Sequence, residues 1–282
     1  MLRQSTIVTT AGPVRVTESN GTGTPILMIH GTGSSSLAFG HQFDSPLADA
    51  HRLLAIDLPG HGQSADAANP STDYTMPGLT SVVRQVIEEL SLTDLTLVGW
   101  SLGGHIAIEL LDHPSVTALM LTGTPPIGRG TLAMLRAFQP SWDVLLASKE
   151  HFSPRDVARF VSLCFAYGTT PELLEAVQRS DGRARSAAVR SMSHGEISDQ
   201  RRAVEESTKP VAIVHGRQDP LLRISYLESL RNLWRGTPHI IENAGHAAFW
   251  DQPTIYNSLL TSLAADGRSF RSDSNQQLRK AS

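Results

Sequence analysis

The chain is poor in the features that would set it apart from ordinary globular proteins. Of its 282 residues only one, Cys164, is a cysteine. No internal disulfide is possible, and no cluster of cysteine and histidine has the spacing of metal ligands. No apolar run reaches membrane-spanning length, and the opening stretch MLRQSTIVTTAGPVRV lacks the apolar centre of a secretion signal. Charged residues make up 18% of the chain and the formal net charge is -3. No long run of either sign offers a surface for nucleic acid or an anionic membrane. These absences lead to the expectation of a cytoplasmic protein that uses no metal and no cofactor. Its partner is then a small-molecule substrate rather than a nucleic acid or a membrane, with the oligomeric state left open.

Apolar residues, at 40%, suffice for a large core. They fall in short runs rich in Val, Ile and Leu: STIVTT, PVRVTES, PILMIH, HRLLAID, LTLVGW, TALMLTG, PVAIVHG and PHIIENA. Between several of them lie helix-period segments. One runs from Pro77 to Leu90, with Leu79, Val82, Val83, Val86, Ile87 and Leu90 on a single face. This alternation predicts an α/β fold, with a mostly parallel eight-stranded sheet flanked by helices. The strand pattern stops after LTGTPPIG and resumes at Pro210. The intervening FSPRDVARFV and TTPELLEAV carry helix starts, with Ser153 and Thr170 as caps and Pro154 and Pro171 in the first turns. The expected division is a core of residues 1–126 and 209–265, a helical cap of residues 127–208 and a flexible C-terminal tail of residues 266–282. A cap so inserted would cover the C-terminal edge of the sheet, where open α/β sheets bind ligands.

Chemistry enters at Gly99-Trp100-Ser101-Leu102-Gly103, a G-x-S-x-G pattern between a strand-like and a helix-like run. Glycines are needed because a serine held up at a sharp bend brings strand and helix too close for side chains. The bend also aims the N–H of Leu102, at a helix start, toward the same space. A hydroxyl needs a base, and the chain offers one in the required order of serine, acid, histidine. Asp219 follows PVAIVHG, and His246 follows PHIIENA in the loop NAGH. Glu242 and Asp181 are rival acids with worse placement. The loop HGTG after PILMI supplies a second oxyanion donor, the N–H of Thr32. His30, Asp57 and His61 are read as residues that shape the loops around it. Trp100, next to the serine, and Phe160, in the cap, are the expected pocket walls. A haloalkane dehalogenase or epoxide hydrolase is not expected, because each needs a carboxylate at position 101.

The motifs HGTG, DLPGHGQS, GWSLGG, GRQDP and NAGH, in this order, resemble the α/β-hydrolase superfamily over residues 6–265. GWSLGGHIAIE, LTGTPP, FSPRDV, SDGRAR and NLWRGTPHIIENAGHAAF further resemble N-acyl-homoserine lactonases of the α/β-hydrolase (AidH) type. That resemblance implies metal-independent opening of a lactone ring. It implies Ser101, Asp219 and His246 as the triad, and Thr32 with Leu102 at the oxyanion positions. The chain departs from that family in carrying Thr32 where asparagine stands and Asp219 where glutamate stands, and in the first half of the cap. The alternatives are a carboxylesterase or C–C bond hydrolase on the same triad, or a ligand receptor with slow turnover.

Overall fold

The structure is a computed structural model that describes residues 2–129 and 131–281. Met1, Gly130 (in the expected cap) and Ser282 (in the expected tail) lie outside the described residues. Each of the eight apolar runs forms a strand: β1 (Arg3–Thr9), β2 (Gly12–Glu18), β3 (Ile26–Ile29), β4 (Leu53–Ile56), β5 (Leu95–Trp100), β6 (Val116–Thr122), β7 (Val211–Gly216) and β8 (His239–Ile241). They make one sheet in the order β1-β2-β4-β3-β5-β6-β7-β8. β1, β2 and β4 pair antiparallel, and every pairing from β4 through β3 to β8 is parallel.

The strands from β3 to β7 are buried along their whole length, which is why they read as continuous apolar runs rather than alternating ones. Alternation reappears in where the side chains go. Leu27, Leu97, Leu119 and Ile213 enter one core cluster. Their neighbours Met28, Val98, Met120 and Val214 enter the other, on the opposite face. The helix Met76–Glu89 lays Leu79, Val82, Val83, Val86 and Ile87 on the first face. Burying each such side chain is worth about 1.5–3 kcal/mol. Thr75 caps that helix by accepting from the N–H of Gly78. The last helix, Pro253–Ala281, covers the second face with Tyr256, Leu260 and Leu263.

That helix corrects one expectation. Residues 266–281, read as a loose tail, continue it. The stretch has no proline, and Gly267 does not end the helix but lets it pass over β6, where a Cβ would lie 2.9 Å from that of Ala118. Asp266 accepts from the Trp234 indole at 2.8 Å, and Arg271 pairs with Asp94 at 3.1 Å.

Between β6 and β7 the described residues form helices, tied to the core by the β-bridge of Phe138 with Leu222 and by hydrogen bonds such as that of the Asp181 N–H to the Gly60 carbonyl at 2.8 Å. Ser153 caps Pro154–Cys164 as expected, in a reciprocal box with Asp156. Thr170 precedes Pro171–Arg179 but makes no capping bond. Among the described residues no helix is long and apolar enough to cross a membrane.

Glycine 103 ties the helix after β5 to the end of β3. A Cβ there would lie 2.2 Å from the Ile29 carbonyl oxygen, a backbone atom that cannot swing away, whereas one at Gly40 meets nothing within 4 Å. Gly103→Ala should therefore cost at least about 2 kcal/mol in urea unfolding. Gly40→Ala, at helical angles, should be neutral or gain about 0.4–1 kcal/mol. Equal midpoints for the two variants would contradict the packing described.

Candidate active site

The parallel register brings five strand ends to one edge. Ile29 of β3 lies beside Gly99 of β5, which lies beside Leu121 of β6, which lies beside Ile213 of β7. Gly216 of β7 lies beside Ile241 of β8. The turns that follow carry Thr32, Ser101, Gly123, Asp219 and His246.

Ser101 has φ 53° and ψ -117°, a conformation that L-residues rarely adopt. The surrounding contacts enforce it. A Cβ at Gly99 would sit 2.4 Å from the Gly104 Cα, and one at Gly104 would sit 2.1 Å from the Thr124 hydroxyl. That hydroxyl lies 3.0 Å from the carbonyl oxygens of both Ser101 and Thr122, and the Ser101 N–H donates to Thr122 at 2.9 Å. The helix Leu102–Glu109 starts immediately after the serine, so the N–H of Leu102 has no acceptor within its own helix. Gly31 presses the neighbouring loop onto the bend, because a Cβ there would lie 3.1 Å from the Ser101 Cβ.

The acid and the imidazole meet as the sequence order suggests. His246 Nδ1–H donates to Asp219 Oδ2 at 2.7 Å, with both side chains almost wholly buried. Asp219 Oδ1 accepts from the N–H of Leu221 at 2.7 Å. Burial alone would raise the Asp219 pKa, but the charge and hydrogen bond of His246, with lesser help from His215 and Leu221, hold it below the usual carboxylate range. This bond leaves His246 Nε2 free of the acid. Gly123, at φ +58°, gives the ring room, since a Cβ there would lie 2.6 Å from it. The rival acids are elsewhere: Asp181 caps Gly182–Ser193 and pairs with Arg183, and Glu242 pairs with Arg217 at the surface.

Thr32, Ser101, Leu102 and His246 open onto a cavity of about 710 Å³. Its opposite wall comes from the helical insertion and is mostly apolar, with Met134, Phe138, Phe160, Leu163, Val189 and Met192. Phe160 is thus where the sequence suggested, its ring against Gly33. Trp100 is not. It is 1% exposed, packs against Phe165 and Phe249, and donates its indole N–H to the His246 carbonyl at 3.1 Å. Strand alternation turns it with Val98 into the core, so it braces the histidine from behind instead of lining the cavity.

The loop-shaping residues are structural, as read. Asp57 accepts from the N–H groups of Ser36 and Gln63. His30 donates from Nδ1 to the Gly31 carbonyl and accepts at Nε2 from Leu58, while His61 donates to Pro59 and accepts from Gly33. Each is therefore neutral with the proton on Nδ1. Burial pushes His30 down to about 4 and His61 to about 3. Cys164 also lines the cavity. Burial, helped by the charge of Asp219, raises its thiol far above the usual range, so it is no rival nucleophile. Among the described residues no group of three or more His, Cys, Asp or Glu could hold a metal ion. The sequence reading missed Thr124, Gly123 and His215. Only His215 left a signal, as a polar residue inside the otherwise apolar strand VAIVHG.

This arrangement has counterparts among known proteins. Residues 24–253 match the alpha/beta hydrolase fold family. The chain belongs to that family. A crystal structure of a mutant of the N-acyl homoserine lactonase AidH, complexed with N-hexanoyl homoserine, is similar to this α/β hydrolase with a TM-score of 0.91. The two are 37% identical, over 94% of this chain and 97% of that one. The pimeloyl-(acyl-carrier protein) methyl ester esterase of Nitrosomonas europaea is 27% identical over 262 residues, 87% of this chain and 98% of its own length. The dihydrolipoyllysine-residue acetyltransferase component of the acetoin cleaving system of Cupriavidus necator is 27% identical over 258 residues. That match takes in 88% of this α/β hydrolase and 65% of that protein, so the chain spans about two thirds of it.

Four buried histidines set an acid limit on this hydrolase. Burial lowers His30, His105 and His215 from 6.5 to about 4, and His61 to about 3. The unfolded chain binds these protons from pH 6.5 downward, and the folded chain does not until its own lower values. Their contribution to stability is therefore full above pH 6.5 and is lost as the pH falls toward about 4. Urea unfolding should lose on the order of several kcal/mol between pH 7 and about 4.5. A midpoint unchanged over that window would contradict neutral, buried imidazoles.

Proposed function

We propose that the protein hydrolyses the lactone ring of N-acyl-homoserine lactones through an acyl-enzyme on Ser101, without a metal. The observation that carries the reading is that Ser101, His246 and Thr32 open onto the same cavity, whose opposite wall is mostly apolar. The reacting ester sits at the polar end, and an acyl tail lies under the cap of residues 127–208. The likeness to the lactonase AidH, at 37% identity over nearly the whole chain, supports a lactone as the ester.

His246 Nε2 takes the proton of Ser101 as the hydroxyl oxygen attacks the ring carbonyl carbon. The buried Asp219 stabilises the imidazolium and holds its tautomer. The N–H groups of Thr32 and Leu102 receive the oxyanion, and each such donor is worth about 2.7–4 kcal/mol in the transition state. When the intermediate collapses, the ring C–O bond breaks. The freed alkoxide takes the proton from His246 and becomes the hydroxyl of a homoserine that is still esterified to Ser101. Water then adds to that ester with His246 as base, and N-acyl-homoserine leaves. Phe160 and the apolar cap wall exclude water from the tail.

Incubation with a short-chain and a long-chain acyl-homoserine lactone tests this. The product should gain the mass of one water and stay in one piece. Release of a fatty acid and intact homoserine lactone would instead identify an amide-cleaving acylase. Ser101→Ala should lower kcat/KM at least about 10³-fold with folding intact, and a chelator should leave the wild-type rate unchanged. Turnover retained in Ser101→Ala, or abolished by the chelator, would overturn the proposal.

A further inference from the structure

His215 is fully buried at the end of β7, and neither of its ring nitrogens has a hydrogen-bond partner. A buried imidazole without partners is uncommon, because leaving such a group unsatisfied is costly. Its Nε2 points at the carboxylate of the catalytic acid, 3.6 Å from Asp219 Oδ2. That oxygen is the one that accepts from His246 Nδ1. The separation is slightly too long for a hydrogen bond, yet it decides the tautomer. With the proton on Nδ1, a lone pair would face the carboxylate. With it on Nε2, an N–H dipole faces it at a distance that a small approach converts into a hydrogen bond, as catalytic contacts often tighten when substrate arrives.

We propose that His215 is a positioning residue for the Asp219–His246 pair, its Nε2–H acting as a second donor to the oxygen that serves His246. The inference rests on the role given above to that pair and extends it. A carboxylate oxygen shared between two imidazoles gives less of its charge to either. Beside the Leu221 and Leu222 N–H groups that hold Oδ1, His215 helps to orient the Asp219 carboxylate at Oδ2 and limits how strongly that oxygen holds a proton on His246, which must remain free to take one from Ser101. The backbone donors to Asp219, the N–H groups of Leu221 and Leu222, reach Oδ1 and not the oxygen that serves His246. Asp219 faces His215 from its own turn and His246 from the loop after β8. From the insertion, the ionisable group that bears on Asp219 is the Cys164 thiol, kept neutral by burial.

Replacing the donor tests this without any substrate. The titration of His246, followed by ¹⁵N resonances of the imidazole in the full-length protein, should move upward by about half a pH unit or more in H215L. H215Q places an amide N–H near the position of Nε2 and should restore the wild-type titration. H215N places it near Nδ1 and should not. The acid limb of kcat/KM against pH for a p-nitrophenyl ester should shift in the same order. Should H215L fail to fold, the Gln and Asn variants carry the comparison. A His246 titration identical in all the folded variants would overturn the proposal. A wild-type protein that spares lactones, yet shows the His215-dependent titration, would instead overturn the lactonase reading alone.

Discussion

At Ser101 the chain turns from β5 into a helix with backbone angles that cost on the order of 1–3 kcal/mol. The core meets that cost with contacts that allow no other path. Gly99 and Gly103 touch backbone where any side chain would collide, Gly31 closes on the Ser101 Cβ, and the Thr124 hydroxyl lies between the Ser101 carbonyl of the bend and the Thr122 carbonyl of β6. A side chain whose position is fixed by backbone packing would lose little entropy in acting as a nucleophile. The exposed hydroxyl and the orphan helix N–H are two results of one constraint.

The register of the parallel sheet extends the constraint to the other groups. Thr32, Asp219 and His246 each sit in a turn after a strand whose end is aligned with that of β5. The turns of Thr32 and Asp219 could not move without shifting a fully buried strand. The histidine is held twice, by Asp219 at Nδ1 and by the Trp100 indole at its carbonyl. The helical insertion is tied to this frame by one β-bridge, by the Asp181 N–H on the Gly60 carbonyl and by side-chain bonds such as Tyr74 to Asp181.

Much of this was legible in the sequence, for identifiable reasons. Strands buried on both faces must be continuously apolar, so β3 to β7 stood out; β1, β2 and β8 showed as short runs rich in Val and Ile or Thr. Serine, acid and histidine each follow such a run, and topology then brings them together. Trp100 was misplaced because adjacency in sequence is not adjacency in space: one step along a strand reverses the face, and the bend then carries Ser101 away from it. The continuation of the last helix past residue 266 depends on Gly267 packing on Ala118, a tertiary contact without a local signal. His215 could be seen as an oddity in VAIVHG, but its meaning needs the 3.6 Å approach to Asp219. The apolar wall of the cavity is built from side chains far apart in a segment without strand pattern, which no periodicity reveals.

The central claim is that this bend and the Asp219–His246 pair together make Ser101 a nucleophile. Labelling with a fluorophosphonate, followed by peptide mapping, tests it directly. The account predicts a single phosphonyl adduct on Ser101 in the wild-type protein, and labelling slowed by orders of magnitude in a folded His246→Ala variant. An adduct on another residue, or labelling of Ser101 at the same rate without His246, would contradict it.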